Sequence, residues 1–259
     1  MTHADRFLGR AGVYASARPT YPAALGQWLA GQGLLSGRVA DVGAGTGLFT
    51  RLLLAQGSGS AFAVDAVEPN PEMRAQLETA LEAEVAGGRL RVHAGTSEAT
   101  SLASASVSLI TAAQAAHWFD PPPTVREFRR VLRPDGQVLL VWNDWRGVDP
   151  GLDGAGFNAA YRSVVTRFSQ EDGELISRVP ERELPRLMPG GFEVQAFDNP
   201  VSLSRERLRA LAGSVSYLPS PDDSGFAAVG RQLDAAFDAH ASDGHVTLTY
   251  RTHAYLGRL

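Results

Sequence analysis

The sequence predicts an α/β protein with a doubly wound, mostly parallel β-sheet, and three observations lead to this fold class. Short apolar segments typical of strands alternate with segments of helical periodicity through the first half of the 259-residue chain. Such alternation implies parallel pairing and right-handed crossovers. A glycine-rich turn lies between the first strand and the first helix that follows it. In the second half, two strand-like segments flank two helical ones, which indicates a sheet edge with an inserted helical cap.

Each element of the first half is predicted from its own periodicity. The predicted strands cover residues 38–42, 61–67, 90–93, 107–112 and 137–142. The predicted helices between them cover residues 48–56, 71–86 and 123–132. Residues 133–136, with the sequence Arg-Pro-Asp-Gly, are predicted to form the turn between the last of these helices and the fifth strand.

The second half is less regular. Its predicted elements are a helix at 157–168, a loop with short helical pieces at 170–190, a strand at 192–197, helices at 205–212 and 226–240, and a strand at 245–250. The cap is expected to cover about residues 200–243. Because no repeat, low-complexity tract or linker interrupts the sequence, we expect one domain over residues 1–259.

The composition argues against nucleic-acid and membrane partners. The formal net charge is −4 and there is no long basic run, whereas proteins that bind nucleic acids usually carry a patch of Lys and Arg residues. Four arginines at helical spacing are interpreted as a solvated helix face: Arg126, Arg129, Arg130 and Arg133. The N-terminal sequence MTHADRFLGRAG lacks the apolar stretch of a signal peptide. No apolar run is long enough to span a bilayer, so we expect a cytoplasmic protein.

The strongest functional signal is the sequence Asp-Val-Gly-Ala-Gly-Thr-Gly at residues 41–47, where the first strand meets the first helix. Glycines here permit a tight turn and let a ligand approach the backbone. The helix that follows directs its N-terminal amides and the positive end of its dipole towards that ligand. The motif therefore predicts a ligand-binding turn.

Two kinds of ligand fit a turn of this type. A nicotinamide or flavin dinucleotide favours G-x-G-x-x-G, whose third glycine lets helix and strand pack around a pyrophosphate. Here Leu48 occupies that position, and the extra glycine, Gly47, comes one residue earlier. The carboxylate of Asp41 would repel a pyrophosphate, whereas it would attract a sulfonium amino acid with an ammonium group. These features favour a nucleoside without phosphates.

Glu68 supplies the second signal, because it ends the second predicted strand. A carboxylate at this place can accept hydrogen bonds from both ribose hydroxyls in a bidentate arrangement. The competing interpretation is a surface glutamate at a strand end before Pro69. In combination with the glycine turn, the ribose role is favoured.

The sequence resembles the class I S-adenosylmethionine-dependent methyltransferases. The first two motifs of that family are similar to VADVGAGTGLFTRLL and AVDAVEPNPEM in this chain. Four further similar pieces follow the family's order: YASARPTYP at 14–22, GTSEATSL at 95–102, QAAHWFD at 114–120 and VLRPDGQVLLVWN at 131–143. The resemblance covers residues 1–145 and is closer to the small-molecule branch that includes the trans-aconitate and ubiquinone-type methyltransferases.

The resemblance implies a Rossmann-like sheet of seven strands in the order 3-2-1-4-5-7-6, with an antiparallel last strand. It divides the chain into N-terminal lid helices (1–37), a cofactor-binding core (38–145) and a substrate-shaping half with the cap (146–259). The implied cofactor is S-adenosyl-L-methionine, which lies across the carboxyl ends of the first strands and leaves as S-adenosyl-L-homocysteine.

By resemblance, four residues of the turn line the methionine part of the cofactor: Gly43, Ala44, Gly45 and Gly47. Asp41 supports this part, Glu68 holds the ribose and Pro69 flanks the adenine. Adenine recognition departs from the family's pattern. The family often has Asp in the sequence GDAE, where it meets the adenine amino group. This chain has Thr96 there, followed by Ser97 and Glu98, so the Thr96 side chain or the backbone at Ser97 is expected to replace that Asp.

The segment from Gln114 to Trp118 follows the fourth predicted strand and is expected to face the transferred methyl group. Gln114 is assigned to the cofactor site. His117 is assigned to catalysis, either as a general base or as a residue that positions the substrate, and its competing interpretation is a packing histidine beside Trp118. The histidines show no H-E-x-x-H spacing, and the absence of cysteine excludes thiolate ligands, so no metal site is predicted.

Tyr14 and Arg18 precede the first predicted strand. In related enzymes an N-terminal helix closes over the cofactor, and both residues are placed in the cofactor set on that basis. Arg18 would pair with the methionine carboxylate, since a guanidinium binds a carboxylate bidentately. The competing interpretation of Arg18 is an ordinary surface arginine.

The implied reaction is direct displacement of the methyl group by an oxygen, nitrogen or carbon nucleophile of a small molecule. The protein mainly supplies alignment and exclusion of water. A hydroxyl or a protonated amine would benefit from a base, and His117 is the candidate; a carboxylate needs none. Two alternatives stay open. One is an S-adenosylmethionine-binding protein that catalyses a non-methylating reaction. The other is an NAD(P)-dependent oxidoreductase, which Leu48 and Asp41 disfavour.

Overall fold

The computed structural model describes residues 18–145, 155–169, 179, 181–215 and 217–259. In these residues the strands are β1 (Arg38–Val42), β2 (Ala63–Val67), β3 (Leu90–His93), β4 (Val107–Ala113), β5 (Leu132–Asp144), β6 (Phe192–Leu203) and β7 (Val246–Gly257). The α-helices are α1 (Ala23–Gly31), α2 (Leu48–Gln56), α3 (Pro71–Ala80), α4 (Glu82–Ala86), α5 (Pro121–Val131), α6 (Ala155–Phe168), α7 (Arg205–Ser214) and α8 (Phe226–His240). Short 3₁₀ helices cover Ala116–Trp118 and Glu181–Arg186. None of the helices in these residues has the length and apolarity needed to cross a bilayer.

The strands form one sheet in the order β3-β2-β1-β4-β5-β7-β6. The first five strands pair in parallel, and β7 runs antiparallel to both of its neighbours, β5 and β6. The predicted order and the antiparallel last strand are therefore confirmed. Because parallel strands end at one edge of the sheet, the segments that follow β1, β2, β3 and β4 meet along that edge.

Helices cover both faces of the sheet. Successive side chains of a strand point to opposite faces, so the neighbours Val39 and Ala40 of β1 belong to different buried clusters. The cluster of Val39 includes Leu25 of α1 and Leu53 of α2. The cluster of Ala40 includes Phe128 of α5. This double covering is the doubly wound arrangement that the sequence predicted.

The last two strands extend past the rest of the sheet. β5 pairs with residues 251–257 of β7, whereas β6 pairs with residues 246–257. The extension is covered by α6, α7 and α8, and a third buried cluster forms there around Tyr161, Leu203 and Leu233. α7 and α8 thus lie where the cap was expected, and their role in shaping a substrate pocket stays a prediction.

Two predicted elements differ in detail. The predicted turn at 133–136 is a bulge inside β5. Val107 of β4 pairs with Leu132, and the next paired residue of β4, Leu109, already pairs with Gln137, so residues 133–136 have no partner on β4. The single helix predicted over 71–86 is divided into α3 and α4. Leu81 lies at the break with φ −127° and ψ 31° and is buried in the cluster that contains Leu53, so burial of its side chain accompanies the interruption.

Candidate cofactor and substrate site

The glycine turn after β1 is tied to the end of the neighbouring strand. The N–H groups of Gly43 and Ala44 donate to the carbonyl oxygen of Val67, with N···O distances of 2.8 and 3.1 Å. The backbone is left-handed at Gly45 and Gly47, with φ of +56° and +85°, a region that L-residues with a side chain rarely adopt. The turn therefore needs glycine at these two positions.

The glycines of the turn face different surroundings. A Cβ at Gly43 would lie 2.5 Å from the Cβ of Ala115, and one at Gly47 would lie 2.9 Å from Cγ of Leu77. Among the described residues, the nearest atom that a Cβ at Gly45 would meet is the sulfur of Met73, at 4.0 Å. Gly43 and Gly47 thus allow close packing, whereas Gly45 borders open space. The predicted contact with a cofactor is best supported at Gly45 and stays a prediction for all four turn residues.

Glu68 lies directly after β2 and faces this turn. Its Oε2 accepts a hydrogen bond from the N–H of Gly45 and its Oε1 accepts one from the N–H of Asn70, both at 2.9 Å. Arg74 donates to the backbone carbonyl oxygens of Glu68 and Pro69 at 2.7 and 2.8 Å. Burial raises the pKa of the Glu68 carboxyl, although the two N–H donors oppose the rise. The carboxylate is therefore held in one orientation, and Pro69 beside it is exposed.

Asp41 lies beneath the turn, with 1% of its surface exposed. Its Oδ2 accepts a hydrogen bond from the hydroxyl of Thr50 at 2.6 Å, and its Oδ1 accepts one from the hydroxyl of Thr111 at 2.9 Å. Burial raises the pKa of the Asp41 carboxyl to about 6, the two hydroxyls lower it, and the charge of Glu68 adds a further rise. Because the carboxylate is enclosed, its predicted support of the methionine part would act through its charge.

The loop after β3 contains the three residues expected near the adenine. Thr96 is exposed, whereas Ser97 is buried and its hydroxyl donates to Oε1 of Glu98 at 2.8 Å. The hydroxyl of Thr124 donates to that of Ser97, and the N–H of Asp120 donates to Glu98. Burial raises the pKa of the Glu98 carboxyl, but hydroxyl and N–H donors outweigh it, so the pKa is lowered. The side chains of Ser97 and Glu98 therefore stabilise the loop itself, and adenine contacts at these positions stay predictions.

Gln114 follows β4 with a left-handed backbone, φ +54°, which is rare without glycine and concentrates at functional sites. Its N–H donates to the carbonyl oxygen of Val141 at 2.8 Å, and its side-chain Nε2 donates to that of Asn143 at 3.2 Å. Since the nitrogen must face that carbonyl, the orientation of the amide is fixed. Oε1 is buried, and no described residue donates to it. Gln114 thus holds a buried acceptor at this edge.

His117 lies in the short helix Ala116–Trp118 that follows Gln114. It is partly buried, and its ring centroid is 4.7 Å from that of Trp118. The topology brings it to the same edge of the sheet as Glu68. Contact with Trp118 fits the packing interpretation equally well, so the catalytic role stays a prediction. Within the described ranges, no three His, Asp or Glu side chains are grouped as metal ligands.

The N-terminal segment at 18–22 crosses the edge of the sheet where these loops meet and is held there by hydrogen bonds and a ring contact. The carbonyl oxygen of Thr20 accepts hydrogen bonds from the side-chain amides of Asn199 and Asn143, at 2.8 and 3.4 Å. The ring of Tyr21 contacts that of Phe49 edge to face, with centroids 4.9 Å apart. The segment therefore connects the start of α2 with the ends of β5 and β6.

Arg18 points to the helical cap. Its Nη2 donates to the carbonyl oxygen of Ser214, the last residue of α7, at 2.8 Å. Burial raises the pKa of the hydroxyls of Tyr161 and Tyr250, and the charge of Arg18 partly opposes this rise at both, so the guanidinium lies near both. The predicted pairing of Arg18 with a methionine carboxylate stays a prediction, and Tyr14 lies outside the described residues.

Several polar residues at this edge were not predicted. They are Thr46, Thr50, Thr111, Asn143 and Asn199. The hydroxyl of Thr46 is buried and has no hydrogen-bond partner in the described part of the chain. A threonine on the apolar face of the helix after the turn, and an asparagine at the end of an apolar strand, were signals in the sequence. Their partners are distant along the chain, so the sequence did not reveal what they bind.

Comparison with known proteins agrees with this arrangement. Residues 40–140 match the family model described as methyltransferase domain. An uncharacterized methyltransferase of Mycobacterium tuberculosis is 41% identical over 137 residues, 53% of this chain and 51% of that protein. An uncharacterized methyltransferase-like protein of Schizosaccharomyces pombe is 28% identical over 207 residues, 79% of this chain and 75% of that protein. The match spans about half the length of the mycobacterial relative.

Solved structures share the fold over most of the chain. A candidate type II methyltransferase from Anaeromyxobacter dehalogenans superposes with a TM-score of 0.65 and 25% identity, covering 93% of this chain and 97% of that one. A candidate methyltransferase from an antibiotic biosynthesis pathway of Anabaena variabilis has a TM-score of 0.58 and 19% identity, covering 92% and 98%. The strand order and these matches show that the chain has the fold of class I methyltransferases. The small-molecule branch that the sequence suggested stays a prediction.

Proposed function

We propose that this protein is an S-adenosylmethionine-dependent methyltransferase that acts on a small molecule. The observation that carries the proposal is the position of the Glu68 carboxylate. It is fixed by the N–H groups of Gly45 and Asn70, beside a stretch of backbone whose outer side is open at Gly45. Each carboxylate oxygen retains lone-pair capacity after accepting one N–H. The two hydroxyls of a ribose would donate to these oxygens while the nucleoside lies against the turn.

The surroundings of the turn also suit a sulfonium amino acid. Two carboxylates, Asp41 and Glu68, lie at or beneath the turn and attract a cation. Oε1 of Gln114 is a buried acceptor suited to an ammonium group. The buried hydroxyl of Thr46 and the N-terminal amides of α2 are donors suited to a carboxylate. These residues fit both ends of the methionine part.

A dinucleotide is less well accommodated. The position of the third glycine of a dinucleotide motif is Leu48, and the extra glycine, Gly47, is used for packing against Leu77. The same two carboxylates that attract a sulfonium would repel a pyrophosphate. The local chemistry therefore favours a cationic nucleoside over a nicotinamide dinucleotide.

When bound, the cofactor would supply a methyl group activated by its positively charged sulfur. The protein's own contribution is alignment of the acceptor and exclusion of water. The segment at 18–22 and the cap helices α7 and α8 would cover the edge of the sheet. His117 would either accept a proton from a hydroxyl or amine nucleophile or hold the acceptor in place.

Calorimetric titration of the protein with S-adenosylhomocysteine and, separately, with NAD tests the binding part of this proposal. We expect S-adenosylhomocysteine to bind and NAD not to bind measurably. The opposite pattern would contradict the proposal. Incubation with methyl-labelled S-adenosylmethionine and a panel of small acids and phenols tests turnover. Binding without transfer to any member of the panel would favour a non-methylating function.

A further inference from the structure

Three buried tyrosines converge where the helical cap packs against α6 and β7. They are Tyr161 of α6, Tyr217 just after α7, and Tyr250 of β7, and their exposed fractions are 1%, 7% and 5%. All three belong to the same buried cluster. The hydroxyls of Tyr161 and Tyr217 are hydrogen-bonded, and Tyr250 interacts electrostatically with both. Three phenol groups from α6, from β7 and from the segment after α7 are therefore brought together.

Among the described residues, the charged groups that act on these phenols are cations. Burial is the largest influence on the pKa values of Tyr161 and Tyr250 and raises both, and the neighbouring phenols raise them further. The charge of Arg18 opposes the rise at both tyrosines, and that of Arg207 opposes it at Tyr250. Within the described part of the chain, no carboxylate contributes to either pKa value. Tyr161 and Tyr250 consequently stay protonated at neutral pH, and their phenols serve as O–H donors in a positive field.

The guanidinium of Arg18 is positioned by both halves of the protein. On one side its Nη2 donates to the carbonyl oxygen of Ser214 at the end of α7. On the other side, the backbone two residues later is held at Thr20 by Asn199 and Asn143. Arg18 therefore lies between the cap and the edge of the sheet where the cofactor is proposed to bind.

We propose that Arg18 and the hydroxyl groups of Tyr161, Tyr217 and Tyr250 bind a carboxylate of the methyl-accepting substrate. The inference rests on the proposed methyltransferase function and names the class of its acceptor, a small organic acid. A guanidinium binds a carboxylate bidentately, and phenol O–H groups complete its hydrogen bonds. The ring of Trp145 contacts Tyr161 edge to face, with centroids 4.9 Å apart, and adds an apolar wall for the body of the acid.

A second source of a carboxylate is the methionine part of the cofactor, the partner that the sequence resemblance assigned to Arg18. The contacts favour the acceptor instead. The described groups that act on Arg18 are Ser214 of the cap, Tyr161 of α6 and Tyr250 of β7, all in the second half of the chain. The glycine turn, in contrast, contacts β2, α3 and the segment after β4.

The test uses a matched acid and amide on the complete protein. Benzoate and benzamide are titrated calorimetrically into the protein saturated with S-adenosylhomocysteine. We expect benzoate to bind more tightly than benzamide. Arg18→Gln is expected to weaken benzoate binding roughly tenfold to hundredfold and to leave benzamide binding unchanged. Arg231→Gln, which removes an exposed cation from α8, is the matched control and is expected to leave both affinities unchanged.

A variant that removes only one hydroxyl keeps the test valid if Arg18→Gln does not fold. Tyr217→Phe retains the buried ring and is expected to weaken benzoate binding roughly twofold to tenfold, as for the loss of one hydrogen bond. Equal binding of benzoate and benzamide by the unmodified protein would overturn the proposal. Unchanged benzoate affinity in folded Arg18→Gln or Tyr217→Phe would also overturn it.

Titration of Arg18→Gln with S-adenosylhomocysteine and with 5′-methylthioadenosine, which lacks the amino-acid part, separates the two sources of the carboxylate. We expect both affinities to match those of the unmodified protein. Weaker binding of S-adenosylhomocysteine alone would assign Arg18 to the cofactor and overturn the proposal. Failure of the unmodified protein to bind S-adenosylhomocysteine would instead contradict the proposed function itself, whatever the benzoate result.

Discussion

Glu68 and Gly45, 23 residues apart in the chain, are joined by a hydrogen bond of 2.9 Å from the Gly45 N–H to Oε2 of the carboxylate. Gly45 belongs to the turn after β1, and Glu68 directly follows β2. The bond therefore fixes the proposed ribose acceptor relative to the backbone against which the ligand would lie. An acceptor that is already oriented loses less entropy on binding, and this pairing is the basis of the predictions that concern the cofactor.

Substitution of two glycines separates ligand contact from packing. Gly45→Val is expected to abolish binding of S-adenosylhomocysteine, because its side chain would enter the open space beside the turn and the left-handed backbone resists a β-branched residue. Gly47→Ala is expected mainly to destabilise, since its Cβ would lie 2.9 Å from Leu77. Left-handed strain and overpacking together cost about 2–4 kcal/mol, roughly 5–15 °C in Tm. Calorimetry and thermal unfolding measure the two effects.

Normal binding by a well-folded Gly45→Val protein would mean that the turn is only structural. A Gly47→Ala protein with unchanged Tm would contradict the packing role of that glycine. Gly59→Ala is a control for backbone strain alone, because Gly59 also has a left-handed φ of +88° and its Cβ would meet no atom within 4 Å.

Asp41→Asn is expected to change how stability depends on pH. Because the pKa of Asp41 is raised from 3.8 to about 6 in the folded protein, the folded state binds this proton more tightly than the unfolded state does. The resulting stabilisation is complete below about pH 4 and is lost as the pH rises to about 6. The rise corresponds to on the order of 3 kcal/mol. Asparagine does not titrate, so the stability of the unmodified protein relative to Asp41→Asn falls by that amount across this window.

One of the two amide N–H groups of the asparagine can be satisfied in place. The hydroxyl of Thr111 also lies 3.3 Å from the carbonyl oxygen of Ala40, so it can donate there and accept from the amide nitrogen of the substituted side chain. Urea unfolding of both proteins at pH 4, 5, 6 and 7 measures the difference. Parallel stability curves over this range would contradict the raised pKa of Asp41.

His117→Ala distinguishes catalysis from packing once an acceptor is known. For a hydroxyl or amine acceptor, we expect turnover to fall by about a hundredfold, with the affinity for S-adenosylhomocysteine nearly intact. Turnover of the unmodified protein should then rise with pH, because only the neutral imidazole accepts a proton. For a carboxyl acceptor, already ionised at neutral pH, the loss is smaller and the profile is flat. His245→Ala, at an exposed turn, is the control. Normal turnover of a hydroxyl acceptor by His117→Ala would remove it from catalysis.

Much of the fold could be predicted because its signals are local. The period of apolar residues placed β1, β3, α2 and α8 at or close to their observed bounds, and the resemblance supplied the strand order. Boundaries were less accurate where tertiary pairing decides them. β6 and β7 are each longer than predicted because they pair with each other beyond the end of β5, and a periodicity within one segment carries no information about such a partner.

The site was predicted as separate residues but not as a network. The sequence predicted that Glu68 and Asp41 are functional carboxylates, but it did not predict the N–H groups and hydroxyls that hold them. It likewise gave no sign that Asn143 and Asn199 would hold the backbone of Thr20. These bonds join residues far apart in the chain, so they depend on the completed fold. The environment of Arg18 in the cap was hidden for the same reason.

The central claim is that the Glu68 carboxylate binds the ribose of S-adenosylmethionine. Its most direct test is calorimetric titration of S-adenosylhomocysteine into folded Glu68→Ala, with Glu78→Ala, which removes an exposed carboxylate from α3, as the matched control. Loss of hydrogen bonds to a charged acceptor costs about 1.5–3 kcal/mol. We therefore predict a roughly tenfold to hundredfold higher Kd for Glu68→Ala and an unchanged Kd for Glu78→Ala. An unchanged Kd in folded Glu68→Ala would contradict the account.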